Sequence, residues 1–265
     1  MRLPVAEGFY EQEKGALARQ VDSLLDTDAT PKKCLGIIVP HAGYMFSGRT
    51  AGKTYSAADT RAKKFCLLGP NHTGLGKPVA LSQQEWKTPL GVMKPDKGLS
   101  SVIPVNEEAH AYEHSIEVQL PFIQRRFGNP SIIPICLSDM PIEEMRDLAS
   151  KIASPELFYV ASSDFTHFGP DYGYVPQEKP MPENLDCVKG GDMKAIDLIC
   201  SIEPEKFHDY VKKTGITICG HVAITIFLFI CRNLGAGKGE LIDYSTSYET
   251  MHGRSFVSYA GIAIR

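Results

Sequence analysis

The feature that most constrains this fold is a short run of β-branched residues that stops at a proline and leads directly to a histidine. Ile37, Ile38 and Val39 precede Pro40 and His41. Because proline cannot donate to the next rung of a sheet, the pattern predicts a buried strand that ends here. The carboxyl ends of strands in open α/β sheets face the crevice where ligands bind. His41 is therefore either a ligand-binding residue or a side chain that caps the strand.

The same pattern occurs at two further predicted strands. The apolar run 65–68 is followed by a Gly-Pro-Asn-His sequence that ends at His72, and the run 157–161 leads to Asp164 and His167. If the three strands are parallel neighbours, their imidazoles share one crevice. That arrangement suits a metal site or an acid/base centre.

The composition is that of a globular protein and argues against several functional classes. The chain has 265 residues, of which 43% are hydrophobic, so it can bury a sizeable core. Its net charge of -3 comes from scattered residues and gives no basic surface for nucleic acid or an anionic membrane. The most apolar stretch, 222–231, is too short to span a bilayer, and the first residues lack the apolar core of a signal peptide. We expect a cytoplasmic protein without a membrane span, for which a symmetric homo-oligomer is a common assembly.

Alternating strand and helix patterns predict one α/β domain over 1–265, with a mixed or largely parallel sheet flanked by helices. Helices are predicted at 9–25, 47–58, 115–127, 140–153, 183–200, 204–213 and 220–233. Strands are predicted at 34–39, 64–69, 79–81, 85–89, 132–137, 156–162, 240–246 and 255–263. We expect the strands at 79–81 and 85–89 to form a smaller antiparallel unit.

One of the seven cysteines has an unusual position. Cys219 lies at the start of the predicted helix 220–233, whereas most of the others lie in apolar runs. The positive end of a helix dipole lowers the pKa of a thiol and favours the thiolate. Together with His41 and His72, Cys219 would form a donor set of two imidazoles and a thiolate. Such a set suits Zn(II), Cu or Fe(II) and leaves an open coordination position.

A second group of ionisable residues lies where the helix 115–127 is predicted to begin. His114 and Glu117 would fall one turn apart on one helix face, where they could supply acid/base groups. The alternative is that Ser115 caps the helix and the carboxylates favour its positive end.

Residues 110–114 match the His-x-x-Glu-His pattern of inverted zinc metalloproteases. In those enzymes two histidines one helical turn apart bind zinc and the glutamate activates water. A pattern of five residues also arises by chance, and Ser115 and Pro121 indicate helix breaks on both sides. A zinc hydrolase is therefore a minor alternative.

Five segments taken together resemble the Memo family in order and spacing: 40–44, 69–72, 113–117, 162–167 and 218–220. The resemblance implies a fold similar to the class III extradiol, non-haem iron dioxygenases. It also implies metal ligands at His41, His72 and Cys219, with Asp164 and His167 lining the same pocket. Those dioxygenases use a glutamate where this chain has Cys219, so dioxygenation of aromatic diols does not follow from the resemblance.

The resemblance also implies partners and ligands. Bacterial and archaeal members are called AmmeMemoRadiSam system protein B, which implies radical-SAM or AMMECR-type protein partners. The animal member binds iron or copper and phosphotyrosine peptides, which implies a small-molecule or peptide ligand.

Two main functions follow from these observations. In the first, the chain is a metal-dependent redox enzyme or metal-handling protein with Fe(II) or Cu at the site. In the second, the same histidines bind a peptide, phosphotyrosine or small anion without chemistry, although Arg49 is the only arginine near these strand ends. The residues assigned are His41, His72 and Cys219 as metal ligands, His167, Asp164 and His114 as catalytic groups, and Tyr44, Asn71 and Glu117 as residues that either support the ligands or line the substrate pocket. Both functions remain open at this point.

Overall fold

Eight strands form one mixed sheet at the centre of the fold. The structure, a computed structural model, describes all residues from Met1 to Arg265. The strands are β1 Lys32–Lys33, β2 Gly36–Val39, β3 Ala58–Asp59, β4 Lys64–Pro70, β5 Val79–Leu81, β6 Trp86–Thr88, β7 Gly91–Met93, β8 Ser131–Leu137, β9 Leu157–Ser162, β10 His167–Phe168, β11 Gly239–Thr246 and β12 Phe256–Ile264. The helices are α1 Lys14–Leu25, α2 Tyr44–Ala57, α3 Leu120–Phe127, α4 Ile142–Ile152, α5 Met181–Cys200, α6 Pro204–Thr214 and α7 His221–Asn233.

The centre of the sheet consists of four parallel strands. The sheet order is β10-β12-β2-β9-β4-β8-β5, and β11 pairs with β12. Strands β2, β9, β4 and β8 run parallel, whereas β5 pairs antiparallel with β8, and β12 pairs antiparallel with β2, β10 and β11. The predicted mixed α/β sheet is confirmed, and β2, β4 and β9, which precede the three histidines, are neighbours.

Alternate side chains of the parallel strands enter two separate cores, because successive residues of a strand point to opposite faces. Ile37 and Val39 pack with residues of α1, α2 and α3 on one face. Ile38 packs with residues of α4, α5, α6 and α7 on the other. The sheet is thus covered by helices on both sides, and this is why its central strands are almost uninterrupted apolar runs.

The apolar stretch 222–231 forms most of α7, and all ten of its residues are buried. The helix is covered by α4, α6 and the sheet, so an all-round apolar surface is expected. No helix in the chain combines the length and apolar character that crossing a membrane requires.

The predicted helix 9–25 begins later than expected. Helix α1 starts at Lys14, where the carboxylate of Glu13 accepts from the backbone N–H groups of Gly15 and Ala16. Residues 2–10 are instead bonded to Glu117, and Arg2 also forms a bridge with Trp86 of β6. Phe9, the apolar residue that suggested a longer helix, is half-buried by tertiary contacts, which periodicity alone does not distinguish from a helical face.

The predicted helix 115–127 is also divided. A 3₁₀ turn at Glu117–Gln119 precedes α3, which begins at Leu120. Pro121 lies in the first turn of α3, the one place in a helix where its missing N–H leaves no carbonyl without a partner.

The predicted small antiparallel unit is only partly present. Strand β5 joins the main sheet beside β8, whereas β6 pairs with β7, a strand that was not predicted. Every other predicted element is present, with ends shifted by no more than about three residues.

Candidate metal centre

Two of the three histidines that follow strands, His41 after β2 and His72 after β4, lie close together, and His114 lies beside them. The rings of His41 and His72 lie with centroids 5.1 Å apart, and the His114 ring is 5.5 Å from the first and 5.0 Å from the second. Donor atoms of His41, His72 and Cys219 all lie within 4.8 Å of one another. The structure therefore contains a candidate metal-binding group of two imidazoles and a thiol.

Cys219 reaches this point because a glycine follows it. Its Sγ lies 3.3 Å from Nε2 of His41. A Cβ at Gly220 would lie 2.5 Å from the carbonyl oxygen of Ser162, so a larger residue would push the start of α7 away from the end of β9.

The tautomer of His41 follows from its hydrogen bonds. Ser162 Oγ donates its single proton to the Ser115 carbonyl at 2.7 Å and accepts from Nε2 of Gln119 at 2.9 Å. Ser162 therefore accepts, at 2.9 Å, from Nδ1–H of His41. The lone pair of His41 is left on Nε2, the nitrogen beside Cys219. Burial lowers the pKa of His41, with His72 and His114 acting in the same direction.

His72 is held in the same tautomer by a carboxylate. Its Nδ1 donates to Oε1 of Glu113 at 3.0 Å, and its backbone N–H donates to Oε2 at 2.6 Å. Burial would lower the pKa of His72, but the carboxylate outweighs it and the net shift is upward. Burial would raise the pKa of Glu113, yet His72 and the Ser115 N–H lower it to about 2. The carboxylate–histidine pair leaves Nε2 of His72 available to a metal.

His114 completes the group of imidazoles without a comparable bond of its own. Its Nδ1 lies 3.5 Å from Oε1 of Glu113, and burial lowers its pKa. Donor atoms of His72, Glu113 and His114 also lie within 4.8 Å of one another. Because Glu113 already accepts from His72, we interpret this second group as support for the first rather than as a separate metal site.

Asp164 and His167 lie beyond the end of β9 on the other side of His41. Oδ1 of Asp164 accepts from the backbone N–H groups of His41 and Ala42 at 2.8 and 3.2 Å. Burial raises the pKa of Asp164, against the opposing charge of His167. Nδ1 of His167 faces the carbonyl oxygens of Phe165 and Thr217 at 3.0 and 3.1 Å, so it carries the proton. Nε2 of His167 is then able to accept a proton.

The expected activation of Cys219 by a helix dipole is not observed. Burial raises the pKa of the Cys219 thiol, and the nearby Asp164 raises it further. The thiol also precedes the helix, since Gly220 is the N-cap and α7 begins at His221. Desolvation outweighs the dipole at this position, so a thiolate here requires a cation beside it.

The three residues assigned to the surroundings of the ligands or to the substrate pocket each make defined hydrogen bonds within the fold. The hydroxyl of Tyr44 donates to the Val118 carbonyl at 2.6 Å, and its side chain is buried. Asn71 organises its own loop, where its Oδ1 accepts from Thr73 and Gly74. Glu117, expected to share a helix face with His114, instead bonds Arg2 and the backbone of the first residues.

Two other sequence candidates lie away from the group. His110 is fully buried, its Nε2 is 3.0 Å from the Ala80 carbonyl, and its ring packs edge-on against Trp86. It does not belong to either group of metal-binding donors. Arg49 is exposed and is engaged by Asp243 and Glu249.

The residues that orient the ligands were not among the predicted site residues. Glu113, Ser162 and Gln119 fix the two histidine tautomers, and Thr217 holds His167. Glu113 and Ser162 stand in motifs that were noted in the sequence. Gln119 carries no local signal, because only the packing of its 3₁₀ turn against the end of β2 brings it to Ser162 and the Pro40 carbonyl.

Comparison with known proteins identifies the family of this chain. The family model described as Memo-like protein matches residues 2–263. The chain belongs to the Memo family. Full-length relatives include a MEMO1 family protein of Methanosarcina barkeri, 34% identical with 100% of each chain covered, and one of Pyrococcus furiosus, 36% identical over 100% of this chain and 98% of the relative. A MEMO1 family protein of Archaeoglobus fulgidus is 35% identical with both chains covered completely. The resemblance noted in the sequence is thereby confirmed for this Memo chain over its whole length.

Proposed function

We propose that this Memo protein binds a redox-active metal, Fe(II) or Cu, through Nε2 of His41, Nε2 of His72 and Sγ of Cys219. The observation that carries the proposal is that both imidazoles are locked in the tautomer that leaves Nε2 unprotonated. Nitrogen and sulfur donors suit iron and copper, and they suit zinc as well. A bound cation would also stabilise the Cys219 thiolate, which burial otherwise opposes.

The donor set fits such a metal and leaves room for a further ligand. Three protein donors leave the coordination sphere of iron or copper incomplete. Either metal, when bound there, would supply one-electron chemistry to a small substrate. The chain would contribute the acid and base groups. Nε2 of His167 can accept a proton on one side, and His114 stands beside His72 on the other. Asp164 holds the backbone of residues 41 and 42 and keeps the His41 ring in place.

Binding of a peptide, phosphotyrosine or small anion without catalysis is the alternative. Recognition of a phosphate usually involves the paired N–H groups of an arginine. The arginine closest in sequence to these strand ends, Arg49, pairs with Asp243 and Glu249 on another part of the surface. The geometry therefore favours the metal-dependent function.

The test is metal content measured by elemental analysis on protein purified anaerobically with reductant, because an oxidised thiol does not bind metal. His41→Ala, His72→Ala and Cys219→Ser are expected to remove near-stoichiometric iron or copper. The exposed residues Cys187 and His252 provide matched controls as Cys187→Ser and His252→Ala, which should retain the metal.

His110→Ala separates this site from the zinc-hydrolase alternative. His110→Ala should keep the metal, although loss of a large buried side chain lowers stability by roughly 2–4 kcal/mol. Metal loss in folded His110→Ala would favour the hydrolase. Wild-type protein that neither carries nor takes up metal would overturn the proposal and leave ligand binding as the function.

A further inference from the structure

The buried residue Asp192 has no part in the proposed metal site, yet it makes three side-chain hydrogen bonds. It lies on α5 and is fully buried. Its Oδ1 accepts from Thr166 Oγ1 at 2.6 Å, and its Oδ2 accepts from Tyr244 OH at 2.7 Å and Ser258 Oγ at 2.6 Å. All of these partners are hydroxyl groups and none is a cation. Burying a carboxylate that has no cation beside it is costly, which indicates that its hydrogen bonds serve to position their partners.

Asp192 holds the segment that carries Asp164 and His167. Thr166 precedes His167, and its carbonyl accepts from the backbone N–H of Ser258 at 2.9 Å. The N–H of Phe165 donates to the Ser258 carbonyl at 2.9 Å. The backbone of the segment is therefore paired with β12, and its one inward hydroxyl is bonded to α5.

The orientation of His167 depends on the same segment. Its Nδ1–H is shared between the carbonyls of Phe165 and Thr217, and its backbone N–H donates to Thr217 Oγ1 at 2.9 Å. A small rotation of the backbone at Thr166 would move the Phe165 carbonyl relative to the imidazole. The ring would then lose one of the two acceptors that keep the proton on Nδ1.

We propose that Asp192 is a positioning residue for His167, acting through Thr166 to hold the 164–167 segment where two carbonyls fix the imidazole tautomer. An ionised carboxylate is suited to this role because it accepts from all three hydroxyls at once, whereas an amide would present two N–H groups to Tyr244 and Ser258. The functional meaning of this arrangement rests on the proposed role of His167 in proton transfer. The structural claim itself does not require a bound metal.

The test follows the ring nitrogens of His167 in the full-length, ¹⁵N-labelled protein by long-range ¹H–¹⁵N correlation at about pH 8, where neutral histidine predominates. The signal is assigned by its loss in His167→Gln. Wild type should show a single tautomer with the proton on Nδ1. Thr166→Val, which removes the hydroxyl but nearly keeps the side-chain shape, should convert this into a mixture of tautomers.

Substitutions at the carboxylate complete the test. Asp192→Ala should produce the same mixture as Thr166→Val, whereas Asp192→Asn, which keeps one acceptor oxygen, should disturb the signal less than Asp192→Ala does. Asp197→Ala, at an exposed site on the same helix, is the matched control. If Asp192→Ala does not fold, Thr166→Val decides alone.

Two results would overturn the proposal: an unchanged His167 signal in folded Thr166→Val, or equal disturbance by the Asn and Ala substitutions at position 192. Metal content is measured on the same samples. It should stay within about twofold of wild type, since the ligands are separate from this network. Wild-type protein that contains no metal would count against the proposed function and not against the positioning of His167.

Discussion

At the scale of single residues, the candidate centre is defined by where protons are held. His41, His72 and His167 each have Nδ1 facing an acceptor: a serine hydroxyl, a carboxylate and a pair of carbonyls, respectively. In each case the lone pair is left on Nε2. Neighbours that fix a tautomer in this way commonly raise metal affinity or set the direction of proton transfer.

The first prediction concerns the carboxylate behind His72. Glu113→Gln should weaken metal binding by about 10–100-fold. The amide N–H₂ group would face the N–H donors of His72 and Ser115, from which the carboxylate accepts hydrogen bonds. The measurement is a competition titration against a chromophoric chelator. The exposed Glu108→Gln is the matched control and should bind as wild type does. Equal affinity in Glu113→Gln and wild type would show that the carboxylate does not support the site.

At the scale of elements, the first ten residues are held by one buried carboxylate. Glu117 accepts from the backbone N–H groups of Val5 and Ala6 and forms a buried ion pair with Arg2 at 2.6 Å. The Arg2 guanidinium also stacks over Trp86 at 4.0 Å. Phe9, on the same segment, packs against His114 with ring centroids 4.5 Å apart. The segment therefore forms one wall of the candidate metal centre.

The second prediction tests this anchoring. Arg2→Leu should lower the free energy of unfolding by about 3–5 kcal/mol, because it leaves the Glu117 charge buried without its cation. Chemical denaturation followed by circular dichroism measures the effect. Arg19→Leu, at an exposed position on α1, should change it by less than about 0.5 kcal/mol. A similar small effect of Arg2→Leu would contradict the interpretation.

The third prediction concerns a carboxylate that forms ion pairs with arginines on two other helices. Glu205 on α6 contacts Arg146 on α4 and Arg232 on α7, and the hydrogen bond from Arg232 lowers the pKa of Glu205 to about 2. A carboxyl whose pKa is lower in the folded protein stabilises it above the unfolded pKa, and that contribution is lost as the pH falls through the folded pKa. Glu205→Gln should therefore be less stable than wild type at neutral pH, with a difference that shrinks as the pH falls from about 4.5 to about 2.

The size of this effect is expected to be small, since the three side chains are partly exposed and solvent screens them. Denaturation midpoints at several pH values measure it, with the exposed Glu144→Gln as control. A difference between Glu205→Gln and wild type that does not change with pH would contradict the assignment.

At the scale of the whole molecule, the sheet and one helix bring distant parts of the chain to one site. The three proposed ligands lie at positions 41, 72 and 219, and they meet because β2, β9 and β4 are parallel neighbours and α7 begins beside the end of β9. A metal bound there would connect the ends of β2 and β4 with the start of α7. Metal binding should consequently stabilise the entire fold.

The fourth prediction is the effect of metal removal. At a free metal concentration of about 100 times the Kd, the bound metal should contribute about 2.7 kcal/mol to the free energy of unfolding, and a chelator should remove that contribution. Thermal unfolding with and without chelator measures this change as a lower Tm. Cys219→Ser should show no such difference. An equal chelator effect in Cys219→Ser and wild type would place the stabilising metal elsewhere.

The sequence by itself determined the strands, most of the helices and the side chains that reach the centre. Apolar runs closed by proline or serine are local signals, and His41, His72, Asp164 and His167 follow them within a few residues along the chain. Cys219 was identified by its place before an apolar helix. The predictions of strands and helices succeeded because periodicity and chain-breaking residues act within a few positions.

Only the tertiary structure decided how those side chains are oriented and what the remaining residues do. Glu117 bonds the first residues of the chain, where Phe9 packs against His114, and burial raises rather than lowers the pKa of Cys219. Gln119 and Asp192 act through partners more than 40 and 20 positions away, respectively. Hydrogen-bond partners and desolvation depend on what folding places nearby, and no local pattern in the sequence encodes that proximity.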